Sequence, residues 1–358
     1  VAFKDLAYIY EGLNTDEKYM IRALELAEKG LGHVAPNPMV GCVIVQNGKI
    51  ISEGYHEKFG EPHAEVNAIT KLAPDFDFSE CTLYVNLEPC SHYGKTPPCA
   101  DLIVSKKFKK VVVGNLDTNP LVSGKGIEKL KQANIPVEHG ILEKECRELN
   151  KRFFTFHEKK RPYIILKWAQ TADGFISRWP LPENKADNWI TGEESKKLVH
   201  QWRSEEQAIM VGTNTVVNDD PELTVRLVKG KNPVRIILDK DLRLSHTFLV
   251  YNDSAETIVF TQKTAEPSAH TKYVTIDFSQ NIILQVLQKL HELHISSMIV
   301  EGGAQLLQSF IDAGMWDEAR VFSNPDKRFE NGIKTPLLRM NPEVSLIGKD
   351  LLYWFRKS

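Results

Sequence analysis

His63 and Glu65 stand two residues apart at a predicted helix start, Cys90 follows Pro89 after a predicted strand, and Cys99 comes nine residues beyond Cys90. One imidazole and two thiolates form a natural tetrahedral zinc set with the fourth position left to water. An open position belongs to a catalytic site rather than a structural one. Zinc lowers the pKa of a bound water from about 15.7 toward roughly 7, which makes hydroxide available at neutral pH. Glu65 is placed to carry a proton from that water to a leaving amine. Zn2+ is therefore the expected metal of the first half of the chain.

His-x-Glu followed by Pro-Cys resembles the known signature of the zinc deaminases. The spacing departs from the usual Cys-x-x-Cys. Here the second half reads PCSHYGKTPPC, with eight residues between Cys90 and Cys99. Gly94, Pro97 and Pro98 suit a loop that leaves and returns, and His92 and Lys95 within it offer polar groups to a substrate. The other cysteines, Cys42, Cys81 and Cys146, read as packing residues. Five cysteines, an odd number, argue against a disulfide framework.

The elements that must position these residues read as two α/β domains. A helix starts at Asn14 to Glu17. Val40 to Val45, the turn Asn47-Gly48 and Lys49 to Ser52 form a hairpin. His63 to Leu72, Gly124 to Ala133 and Glu143 to Phe154 read as helices, and Thr82 to Leu87 and Lys110 to Gly114 as buried strands. The charged stretch from His157 to Pro162 marks a boundary, giving domains 1–157 and 158–358. Beyond it, strands are predicted at Tyr163 to Ala169, Ala208 to Gly212, Val234 to Asp239, Thr257 to Thr261 and Ser297 to Glu301. Helices are predicted at Glu193 to Ser204, Ile282 to Leu293 and Ala304 to Ala313. Arg178 to Asp187, with two prolines, reads as a loop. So does the polar run from Gly212 through Thr215 to Asp219 and Pro221.

The second half carries no G-x-G-x-x-G after a strand, so a Rossmann site is not indicated. Its useful signal is a strand running into Gly302-Gly303 and then a helix. Glycines let backbone approach a phosphate, and a helix N-terminus offers free N–H groups. The same pair also fits a plain turn.

Taken together, PNPMVGCVIV, HAEVNAI, YVNLEPCSHYGKTPPC, NWITGEES, IMVGTNTVVNDDPELTVR, VRIILD and VEGGAQLLQSF resemble the riboflavin-pathway bifunctional deaminase–reductase family, over about Tyr19 to Asp317. The resemblance implies a cytidine-deaminase-like three-layer α/β/α domain, followed by a dihydrofolate-reductase-like α/β domain with a mixed sheet flanked by helices. It implies hydrolysis of the 2-amino group of a phosphorylated pyrimidinone ribosylamine, then NADPH-dependent reduction of the ribosyl group to ribityl. By motif position, His63, Cys90 and Cys99 would bind zinc and Glu65 would be the proton donor. Asn37, His92 and Lys95 would lie near the pyrimidine. Ala169, Trp189, Thr215, Asp219, Gly302 and Gly303 would contact the cofactor. Arg203, Leu223, Arg226 and Glu301 would face the substrate, with the arginines suited to its phosphate. Asp187, where a small polar residue is common, departs from the pattern, as do the longer loop before Trp189 and the segment Ser323 to Gly332.

Simpler readings stay open at this level: Asn37 holding a turn between two prolines, His92 and Lys95 as a solvated loop face, and Arg203 as a surface charge. Two rival functions do as well. One is a zinc deaminase acting on a nucleic-acid base, with a non-catalytic second domain. The other is a scaffold with structural zinc, for which His92 is the candidate fourth ligand. A net charge of −2 argues against a nucleic-acid partner. No apolar run approaches the roughly 20 residues of a membrane span, and no basic-then-apolar leader is visible. The expectation is a cytoplasmic homo-oligomer acting on a small phosphorylated pyrimidine.

Overall fold

The computed structural model describes residues 12–93, 97–118 and 123–357. The chain divides into two compact units, with the division between Lys159 and Lys160.

The first unit runs α1 (Thr15–Glu28), β1 (Gly41–Gln46), β2 (Lys49–Tyr55), α2 (Ala64–Ile69), β3 (Cys81–Leu87), α3 (Cys99–Lys106), β4 (Lys110–Asn115), α4 (Lys125–Gln132), β5 (Val137–His139), α5 (Glu143–Leu149) and α6 (Lys151–Lys159). Asn14 starts α1 with a capping box, exchanging hydrogen bonds with Glu17. The strands form one mixed sheet in the order β2-β1-β3-β4-β5. Side chains alternate across it. Cys42, Ile44, Leu83 and Val85 face Ala68, Ile103 and Leu130 from α2, α3 and α4. Val43, Val45, Tyr84 and Val112 face α1 and Cys146 and Leu149 of α5. The result is the expected three-layer α/β/α domain.

The second unit contains β6 (Tyr163–Thr171), β7 (Phe175–Arg178), α7 (Glu193–Glu205), β8 (Ala208–Gly212), α8 (Thr213–Asp219), β9 (Val234–Leu238), β10 (Thr257–Thr261), β11 (Thr271–Thr275), α9 (Ile282–Glu292), β12 (Ser297–Glu301), α10 (Ala304–Asp312), β13 (Glu318–Asn324), β14 (Gly332–Lys334), β15 (Glu343–Ile347) and β16 (Asp350–Arg356). Its main sheet has the order β11-β10-β9-β8-β12-β6-β13-β16-β15. The strands from β11 to β13 are parallel, and β13, β16 and β15 pair antiparallel. Helices α9 and α10 cover one face through Leu287, Leu290, Leu307 and Phe310. Val199 and Trp202 of α7 and Val216 of α8 cover the other. This is the expected mixed sheet between helices.

Several local expectations are corrected. Helix α2 ends at Ile69, short of Leu72, where Pro74 follows closely. The helix expected over Glu143 to Phe154 is two, broken at Asn150, whose buried side chain is turned to the Met39 backbone. The polar run after Gly212 is helix α8, not a loop. The loop Arg178 to Asp187 holds the last residue of β7 and most of a 3-10 turn, Lys185–Asn188. Helix α3 and strands β5, β7, β11 and β13 to β16 were not foreseen.

Candidate functional site

In the first unit, α2 must reach the end of β3. It lies tight on β2 because residue 54 is glycine: a Cβ there would stand 2.4 Å from the Ala64 carbonyl. Ser52 Oγ donates to the Ala68 carbonyl at 2.6 Å, and the Asn67 amide to Tyr55 at 2.8 Å. His63 is the N-cap of α2 and Glu65 lies in its first turn. Cys90 follows the end of β3, and Cys99 opens α3. The Cys99 backbone N–H donates to Cys90 Sγ at 3.3 Å. His63 Nδ1 lies 3.5 Å from Cys90 Sγ and 3.4 Å from Cys99 Sγ.

These separations test the metal assignment. Zinc–nitrogen and zinc–sulfur bonds of about 2.05 and 2.3 Å at a tetrahedral angle place the donors roughly 3.6 Å apart. The donor set fits zinc in both chemistry and spacing. All three donor atoms lie within 4.8 Å of one another, and among the described residues no fourth His, Cys, Asp or Glu joins them. His92 is exposed and outside the set, which removes the support for a four-ligand structural site. A hydrogen bond from Cys99 pushes the Cys90 thiol down, against burial and with help from His63, while the same contact and burial push Cys99 up. Cys90 is thus ready to bind as thiolate. Glu65 is buried, and burial together with the Cys90 charge pushes its carboxyl upward.

Asn37 is half-buried, and its amide sits 3.2 Å from His56 Nε2. His56 Nδ1 lies 3.1 Å from the Pro62 carbonyl, so a proton on Nδ1 leaves Nε2 to accept from Asn37. The His56 ring packs edge-on against His63, with centroids 5.4 Å apart. Asn37 is therefore tied to the zinc-ligand histidine through a residue the sequence reading did not single out. Lys95 lies outside the described residues.

In the second unit the chemistry gathers at the carboxyl ends of three neighbouring strands, β8, β12 and β6, where open α/β sheets bind ligands. Glu301 ends β12. Arg203 of α7 grips it with two hydrogen bonds, of 3.1 and 2.7 Å. Lys167, its cross-strand partner on β6, lies 3.9 Å away. All three side chains are largely buried. Burial raises the Glu301 carboxyl, but Arg203 and Lys167 outweigh it and hold the group down to about 2. Arg203 is thus no surface charge. Lys167 was also missed, although a lysine within the apolar run IILKWA is itself a signal.

Gly302 and Gly303 adopt φ of +88° and +67°, a left-handed region that disfavours other residues. A Cβ on either would meet Thr215 at 3.2 to 3.3 Å. The Thr215 hydroxyl and the open N-terminus of α10 thus share one ledge, which fits a cofactor phosphate. Asp219 ends α8, and Ala169 lies near the end of β6. Trp189 is exposed, with Lys196 Nζ 4.9 Å from its ring centre. Leu223 is buried, while the Arg226 side chain is half-exposed and bonds Glu222 at 2.6 Å. Asp187 is exposed.

Residues 13–115 match the cytidine and deoxycytidylate deaminase zinc-binding region, and residues 162–326 match the RibD C-terminal domain. The riboflavin biosynthesis protein RibD of Aquifex aeolicus is 44% identical, over 96% of this chain and 98% of that one. The chain belongs to the RibD family. RibD of Actinobacillus pleuropneumoniae is 42% identical over 94% of each chain. Among solved structures, a diaminohydroxyphosphoribosylaminopyrimidine deaminase/5-amino-6-(5-phosphoribosylamino)uracil reductase from Thermotoga maritima superposes with a TM-score of 0.86 at 40% identity, covering 96% of this chain and 99% of that one. Membership in the RibD family makes the chain a bifunctional deaminase and reductase of riboflavin biosynthesis, with Zn2+ for the first unit and NADPH for the second. A nucleic-acid deaminase with an inert second domain is not favoured, because the match runs through both units. No helix among the described residues is long and apolar enough to cross a membrane.

Proposed function

We propose that residues 1–157 deaminate 2,5-diamino-6-(5-phosphoribosylamino)pyrimidin-4-one and that residues 158–358 reduce the product. The observation that carries this reading is the His63–Cys90–Cys99 donor set with buried Glu65 beside it. His63, Cys90 and Cys99 would hold zinc, which would supply a water made nucleophilic at neutral pH. With the metal supplying that water, Glu65 would be the group that accepts its proton and returns it to the departing 2-amino nitrogen, which leaves as ammonia. Asn37, held by His56, and His92 and Lys95 of the loop after Cys90 orient the pyrimidine.

In the second unit NADPH supplies the hydride. Gly302, Gly303, Thr215 and Asp219 bind it, with Ala169 and Trp189 beside the nicotinamide. Glu301, kept ionised by Arg203 and Lys167, accepts hydrogen bonds from sugar hydroxyls. Leu223 and Arg226 contact the remainder, with Arg226 pairing the phosphate.

The two activities are expected to separate. Purified protein given the diamino substrate without NADPH yields the deaminated product, and with NADPH the ribityl compound, both read by mass. After chelation, reduction of supplied deaminated intermediate persists while deamination stops. All six tryptophans lie beyond Lys160, so their fluorescence reports the folding of the second unit alone. Parallel loss of both activities with unchanged fluorescence would overturn the division of labour. The enzyme is also proposed to be cytoplasmic and a homo-oligomer, on the family resemblance. Light scattering at micromolar concentration is expected to give at least twice the 40.7 kDa chain mass, and a monomer there would remove that assignment.

A further inference from the structure

We propose that His200 is a positioning residue for the reductase substrate site: its Nδ1 accepts the backbone N–H of Arg226 and so holds the loop that presents Leu223 and Arg226. The loop cannot be expected to keep its shape unaided. Asp220 and Leu223 have φ of +45° and +56°. Aspartate enters the left-handed region readily, but for a bulky residue such as Leu223 it is strained and persists only where the surroundings over-determine it.

Anchors come from several directions. Arg235, fully buried on β9, donates to the Glu222 carbonyl at 3.0 Å. The Asn232 carboxamide oxygen accepts from Val225 N–H at 2.7 Å. Arg203 reaches the Thr224 carbonyl at 3.4 Å. His200, buried one turn before Arg203 on α7, takes the Arg226 N–H at 3.0 Å. Residues three apart share a helix face, so α7 turns toward this loop both the arginine that holds Glu301 and the imidazole that holds Arg226.

The bond requires an unprotonated Nδ1. Burial, with Arg203, Arg226 and Lys196 as neighbouring cations, outweighs the pull of Glu301 and holds His200 down to about 4. At neutral pH the ring is therefore an acceptor at Nδ1 and carries its proton on Nε2.

The inference rests on the reading of Leu223 and Arg226 as substrate-facing, and the test separates the two. Reductase kinetics are measured on the full-length protein with the deaminated intermediate and NADPH. His200→Leu is expected to raise the KM of the intermediate about tenfold, the usual scale for one lost buried hydrogen bond with its donor left unpaired. The KM of NADPH and the deaminase rate should stay near their starting values. Asparagine places its carbonyl oxygen close to where Nδ1 sits, whereas glutamine places it near Nε2. His200→Asn should thus recover most of the loss and His200→Gln should not. Equal behaviour of the Asn and Gln variants would reduce His200 to a packing residue and overturn the proposal, and that comparison stands even where His200→Leu fails to fold. An unchanged KM in His200→Leu alongside a raised KM in Arg226→Met would overturn it as well. An unchanged KM in Arg226→Met would instead overturn the substrate assignment of the loop.

Discussion

Glu65→Gln is expected to keep the zinc content of the protein and to lower deamination by about 10²-fold or more. Glu65 is not among the three donors that converge, so removing its charge leaves the His63, Cys90 and Cys99 set intact. The amide nearly matches the carboxyl in size, so the buried site next to α2 is not opened. What it cannot do is take a proton from water and deliver it to the leaving amine. Cys90→Ser and Cys99→Ser should behave differently, losing metal and activity together, because a hydroxyl is a poor substitute for a thiolate ligand. Metal analysis and initial rates on the three variants check this. A zinc-loaded Glu65→Gln protein with near-normal turnover would remove the proton-carrier role, and a full zinc load in both serine variants would remove the ligand assignment.

Arg203→Leu is expected to abolish measurable reduction and to destabilise the second unit by about 3–5 kcal/mol, the range for breaking one side of a buried ion pair. The physical cause is what the substitution leaves behind. Glu301 would keep Lys167, at 3.9 Å, but would lose both short hydrogen bonds from the guanidinium. The Thr224 carbonyl would lose its anchor too. The double variant Arg203→Leu/Glu301→Leu should regain part of the stability but none of the activity, since it removes the uncompensated charge and the substrate-facing carboxylate together. Urea unfolding followed by tryptophan fluorescence reads this unit selectively. A loss below about 1 kcal/mol, typical of an exposed pair, would show that the Arg203–Glu301 pair is solvated in solution.

The zinc-site chemistry was legible in the sequence because its residues fall in two short segments, His63-Ala64-Glu65 and Cys90 to Cys99, and because imidazole and thiolate have few other uses in that pattern. The layered α/β architecture was legible for a related reason: a strand such as VGCVIV or SMIVE, buried on both faces, reads as a continuous apolar run. Helix α8 was not legible, since Thr, Asn and Val are weak helix formers. It forms where it follows β8 and Val216 can enter the core. The strand β15 was not legible either, because its alternation runs over only four residues, Glu343 to Leu346, and nearly all of it is exposed.

Tertiary structure alone decided the supporting shells. Asn37 and His56 are 19 residues apart, Arg203 and Glu301 are 98, and His200 and Arg226 are 26. In the second unit β12 lies between β8 and β6, which brings Lys167 beside Glu301, and α7 packs on the same sheet to add Arg203 and His200; Asn37 and His56 meet instead across the open ends of the β1–β2 hairpin. A hydrogen bond between distant segments leaves no periodic trace in either one. Residue type and local spacing can therefore announce a metal and its acid, whereas the groups that fix their partners in place become visible only when the strands are laid side by side.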